Sequence, residues 1–89
     1  MPLFQLGKVV ITPAASSFCS THNIDPLLLI SRHVNCDWGD ISEQDAAANV
    51  LGVQHELRIF SSYQFSTNKV WVITEADRSS TCILLPSDY

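Results

Sequence analysis

The chain has 89 residues and a formal charge of −4, from five Lys and Arg against nine Asp and Glu. An apolar fraction of 46% suits one domain spanning 1–89 with a modest core, because a chain this short buries only about 60% of its unfolded surface. The acidic balance argues against direct nucleic-acid binding, which needs surplus Lys and Arg, and no apolar run approaches the roughly 20 residues of a membrane span.

In chain order, LGKVVI at 6–11 is rich in β-branched residues and reads as a short strand. Thr12 and Pro13 then supply an N-cap hydroxyl and a first-turn proline for a short helix to Thr21. Asp25 and Pro26 repeat that start. Leu27, Leu28, Ile30 and Val34 follow at helical spacing, so the two helices form a helical hairpin. Gly39 breaks the chain again. Ser42 caps a third helix with Glu43 and Asp45 in its first turn, where the helix dipole favours acids, and Gly52 is the expected end.

From Glu56 the period becomes two. Leu57, Ile59, Ser61, Tyr63 and Phe65 form one row, and Arg58, Phe60, Ser62 and Gln64 the other. A polar turn at 66–69 leads to VWVIT at 70–74, making an antiparallel hairpin, and TCILL at 81–85 adds a third strand before Pro86. The predicted class is α+β: a short N-terminal strand, two or three short helices, then a three-stranded antiparallel meander packed on the helices.

Cys19, Cys36 and Cys82 are an odd, widely spaced set, which reads as reduced thiols in a cytoplasmic protein rather than a disulfide framework. The start also lacks the layout of a secretion signal. Cys19-x-x-His22 with His33-x-x-Cys36 makes a zinc set of four ligands, although the spacing is not that of a standard finger, and the bland reading is scattered core and surface positions. No cofactor is expected. Gly7, Gly39 and Gly52 form no phosphate-cradling loop, and neither a G-x-S-x-G elbow nor a C-x-x-C pair is present.

LGKVVITP at 6–13, SRHVNCDWGDISEQDAAAN at 31–49 and VWVITEADRSSTCILLPSDY at 70–89 carry a resemblance. The chain resembles a family of small, functionally uncharacterised bacterial proteins carried on plasmids and other mobile elements. Trp71, Glu75, Ala76, Asp77, Arg78, Ser79 and the closing LLPSDY are its most specific part. Cys19, His22 and Cys36 lie outside the pattern, and Leu57 stands where the pattern has Gly before Arg58. The resemblance implies a bacterial cytoplasm and mobile DNA, and no particular activity.

Two clusters are candidates for function. Arg32, His33, Asp37, Trp38 and Asp40 place an imidazole near carboxylates, the arrangement of a general base; alternatively, the aspartates satisfy a tight turn and Trp38 plugs the core. Glu75, Asp77 and Arg78, with neighbouring hydroxyls, present a guanidinium to an anion or close on themselves by ion pairing. Tyr63 and Trp71 on the hairpin are candidates for contact with a partner. The leading expectation is a non-enzymatic interaction protein whose sheet, roofed on one side, turns apolar rings outward to a protein partner, a homodimer being the simplest. Two alternatives stand beside it. One is an inhibitor of a host DNA-processing or defence enzyme that uses Asp37, Asp40, Glu43, Asp45 and Asp77 as an acidic surface. The other is a small enzyme using His33 with Asp37 or Asp40.

Overall fold

The computed structural model describes residues 4–66 and 68–89. The expected turn at 66–69 therefore includes one position, 67, outside the described residues.

The elements run β1 (Lys8–Ile11), α1 (Pro13–Thr21), α2 (Pro26–Val34), α3 (Glu43–His55), β2 (Ile59–Phe65), β3 (Asn68–Thr74), β4 (Ser80–Leu84) and a C-terminal 3-10 turn, Pro86–Asp88. The starts follow the caps. Thr12, Asp25 and Ser42 each accept a backbone N–H with their side chain, from Ala15, Leu27 and Asp45 respectively. Each cap satisfies a donor that the first helical turn would otherwise leave without a partner.

The third helix does not end at Gly52. It runs to His55 and is closed by Glu56, which takes the left-handed conformation at φ 55°. Gly52 serves packing instead: a Cβ there would meet Ile59 Cδ1 at 2.7 Å and the Arg58 carbonyl oxygen at 3.0 Å. The glycine lets the helix lie close to the start of β2.

The class is α+β, and the sheet has four strands in the order β1-β4-β3-β2. β2, β3 and β4 form the antiparallel meander, with Tyr63 opposite Val70 and Val72 opposite Ile83. β1 joins it in parallel, with Val9 beside Thr81 and Ile11 beside Ile83, so the sheet is mixed. Reading the alternation across these registers puts Val9, Ile11, Ile59, Ser61, Tyr63, Val70, Val72, Thr74, Thr81 and Ile83 on one face.

That face meets the helices. Tyr63, Val70, Val72 and Ile83 form the core with Ala15 of α1 and Leu29 of α2, while Phe18, Ile24, Ile30, Phe65 and Leu85 pack around it. The opposite face carries Phe60, Trp71, Ile73, Cys82, Leu84 and Val10. Phe60 and Trp71 meet edge to face at 5.2 Å, and Tyr89 lies against Trp71 at 5.8 Å. Both sheet rings are half-buried under this cover, and Tyr89 itself is 74% exposed.

Candidate functional site

His33 is fully buried. Its Nδ1 lies 2.6 Å from Ser61 Oγ and its Nε2 2.9 Å from Thr74 Oγ1. Thr74 Oγ1 is 2.7 Å from Thr81 Oγ1, which donates to the Leu6 carbonyl oxygen at 2.7 Å. The proton order follows from the far end. A carbonyl only accepts, so the single Thr81 proton is spent on Leu6. Thr74 must then donate to Thr81 and His33 Nε2–H must donate to Thr74, which fixes a proton on Nε2. Burial keeps the ring neutral, so Nδ1 accepts from Ser61. Burial pushes its pKa down to about 4, because no carboxylate offsets the lost hydration.

The carboxylates expected beside His33 are engaged elsewhere. Asp37 accepts from Arg32 Nε at 2.7 Å and Nη2 at 3.2 Å. This pairing holds Asp37 below the usual carboxylate range and raises Arg32, although both side chains are about half exposed and the pair is solvent-screened. Arg32 also sits 4.5 Å above the Tyr63 ring. Tyr63 donates its hydroxyl to the Asp37 carbonyl oxygen at 2.7 Å, and burial pushes its pKa up to about 12. Trp38 stacks on Phe4 and meets His33 edge-on at 6.1 Å.

Trp38 and Asp40 also do something the sequence did not disclose. The Trp38 carbonyl oxygen accepts from Ser62 N at 3.0 Å, Asp40 N donates to the Ser62 carbonyl oxygen at 2.6 Å, and the Asp40 carboxylate accepts from Gln64 N at 3.0 Å. Asn49 of α3 completes the row: its Nδ2 donates to the Phe60 carbonyl oxygen at 2.6 Å, and its Oδ1 accepts from Phe60 N at 2.9 Å. The outward main chain of β2 is thus occupied from Phe60 to the Gln64 N–H. Gly39 makes this approach possible at φ 75°, where a Cβ would collide with the Ser62 carbonyl oxygen and come within 2.6 Å of the Tyr63 ring.

Arg78, at φ 60°, forks onto carbonyl oxygens rather than acids. Nη1 donates to Leu57 at 2.7 Å and Glu75 at 3.2 Å, and Nη2 donates to Gly52 at 2.7 Å. It ties the β3–β4 loop to the end of α3 and the entry to β2. Asp77 accepts from Ser79 N at 2.9 Å, and Glu75 is exposed. Among the described residues the one ion pair is Arg32–Asp37.

Cys19 is buried against the core, His22 packs on the Phe18 ring at 4.3 Å, and Cys36 is half-buried. Among the described residues no group of three or more His, Cys, Asp or Glu is placed to hold a metal. The acidic side chains Asp37, Asp40, Glu43, Asp45 and Asp77 are divided among a turn, a helix start and a loop. A shallow groove of about 430 Å³ lies between α3 and the second sheet face, lined by Asn49, Arg58, Phe60, Trp71 and Tyr89 among others. Arg58 closes one side by donating to the Tyr89 hydroxyl at 2.8 Å.

The other sheet edge contrasts with β2. Lys8 N and Thr12 N donate inward to β4, at Ser79 and Ile83. By strand alternation the N–H and C=O groups of Val9 and Ile11 face outward, and no strand flanks β1 there among the described residues. Val9, Val10 and Ile11 are 46%, 38% and 37% exposed.

Sequence reasoning missed Asn49 and the hydroxyl chain around His33. The available signals were a lone amide on the inward side of an Ala- and Val-rich helix, and Ser61 in the inward row of β2. No described helix is long and apolar enough to cross a membrane. No family model matches the chain, and neither curated proteins nor solved structures provide a match.

Proposed function

We propose that this chain is a small, non-enzymatic protein-interaction module of a bacterial cytoplasm, associated with mobile genetic elements, and that it self-associates. The observation that carries the reading is the contrast between the two sheet edges. β2 is sealed residue by residue, whereas β1 offers main-chain groups that no described residue pairs, flanked by exposed Val9, Val10 and Ile11. An apolar open edge is a template for strand addition. The groups that would carry catalysis support the same reading, since His33 binds two core hydroxyls and Arg78 binds backbone carbonyls.

Sedimentation velocity across the micromolar range tests this, with Val9→Lys as the edge-blocked variant. Val9 is exposed, so its replacement leaves the fold intact, as an unchanged thermal midpoint would verify. The reading predicts a concentration-dependent dimer that Val9→Lys abolishes. A wild-type chain that stays monomeric throughout contradicts self-association.

A further inference from the structure

We infer that a second copy of this chain docks antiparallel on β1, on a two-fold axis through Val10, with Lys8 of each copy reaching Asp88 of the other. This rests on the interaction reading above and adds the surface, the register and the charged contact.

Closure argues for a second copy. With β2 sealed, the four-stranded sheet can extend only from β1. Pairing two identical open edges uses both and leaves none, which gives a closed dimer rather than a fibre.

Hydrogen bonding then limits the register. The outward groups belong to Val9 and Ile11, so odd positions must face odd positions. Pairing Val9 with Ile11 of the second copy satisfies the outward groups of both residues in both copies. It also sets Val10 opposite Val10 and Lys8 opposite Thr12. The axis stands perpendicular to the sheet, so the helix-covered faces of both copies lie on one side. Val9 and Ile11, both on that face and both exposed, then cover one another across the join.

Charge selects this register over its neighbours. Lys8 is exposed and, among the described residues, has no acidic partner within its own chain. Thr12 donates its hydroxyl to Asp88 Oδ2 at 2.7 Å, and Asp88 also accepts from Leu85 N at 3.0 Å, so a fixed carboxylate stands beside Thr12. Lys8 and Thr12 would form a non-hydrogen-bonded cross-strand pair with Cα atoms about 4.5 Å apart, close enough for the ammonium to meet that carboxylate. Centring the axis on Val9 or Ile11 would place Lys8 away from Thr12 and lose this contact.

Cysteine cross-linking tests the register in the full chain. Val9→Cys, Val10→Cys and Ile11→Cys are each made with Cys82→Ser, because Cys82 is the β4 neighbour of Val10 and would compete for a disulfide. Under mild oxidation the Val10→Cys dimer should form roughly tenfold faster than the other two, since only that self-pair lies within disulfide reach. Lys8→Glu should weaken the dimer measured by sedimentation, and Lys8→Glu with Asp88→Lys should restore it. A dimer that cross-links preferentially at Val9→Cys or Ile11→Cys, or at none of the three, overturns this inference while leaving self-association standing. A strict monomer overturns both.

Discussion

The Asn49 side-chain amide meets the Phe60 main chain twice, donating to its carbonyl oxygen at 2.6 Å and accepting from its N–H at 2.9 Å. A helix side chain thereby takes the place of a neighbouring strand. Asn49 is 2% exposed, so its removal strands two backbone groups in a partly buried setting. Asn49→Ala should cost about 2 kcal/mol in urea unfolding. It should also free the Phe60 amide to exchange faster, while Ser62 and Gln64 stay protected by Trp38 and Asp40. An Asn49→Ala protein as stable as wild type, with the Phe60 amide still protected, would refute the sealing role.

His33 links stability to pH. Its folded pKa of about 4 lies below its ordinary value of 6.5, so the unfolded chain takes up the proton first as pH falls. The contribution is complete above 6.5 and is lost as pH drops through that interval to about 4, a change of roughly 3 kcal/mol. Urea melts at pH 7 and 4.5 should show the loss, and His33→Asn should flatten the slope between them. Nitrogen NMR should find the neutral ring protonated on Nε2. A proton on Nδ1 would contradict the hydroxyl order from Ser61 to Leu6.

Arg78 distinguishes a carbonyl clamp from a salt bridge. Arg78→Ala should lower stability by roughly 2 kcal/mol, because the carbonyl oxygens of Gly52 and Leu57 lose a charged donor. Arg78→Lys should recover only part of this, since an ammonium lacks the fork. Glu75→Gln should change stability by less than about 0.5 kcal/mol, as expected of an exposed group that forms no ion pair with any described residue. A large Glu75→Gln effect would favour the ionic alternative.

Two glycines should respond differently to the same added methyl. Gly39→Ala should cost roughly 3 kcal/mol or more, from left-handed strain together with collision against the backbone of β2. Gly52→Ala has ordinary helical geometry and gains about 1 kcal/mol of helix propensity, but its methyl meets buried Ile59 Cδ1 at 2.7 Å and the Arg58 carbonyl oxygen at 3.0 Å, so it should destabilise, though less than Gly39→Ala. Paired thermal melts check this, and equal effects would contradict it.

Local chemistry made much of the fold legible. Thr12-Pro13, Asp25-Pro26 and Ser42 mark the three helix starts because each cap answers to its own first turn. The period of two in 57–65 and the turn after it specify the hairpin, since register there depends on near neighbours. The parallel pairing of β1 with β4 was not legible: Val9 and Thr81 are far apart in sequence, and no local pattern encodes their meeting. Gly52 misled because a glycine near a helix end also signals close packing. The His33 cluster looked like chemistry because residues 32–40 bring imidazole and carboxylates close in sequence. In the fold, α2 turns the imidazole inward and leaves Asp37 outside with Arg32.

The most direct test of the edge account is amide hydrogen exchange followed residue by residue at low and high protein concentration. Phe60, Ser62 and Gln64 should be protected at both, because groups within the chain already hold them. Val9 and Ile11 should exchange freely when dilute and become protected as concentration rises. Val9 and Ile11 amides that exchange at the same fast rate at every concentration would contradict the account.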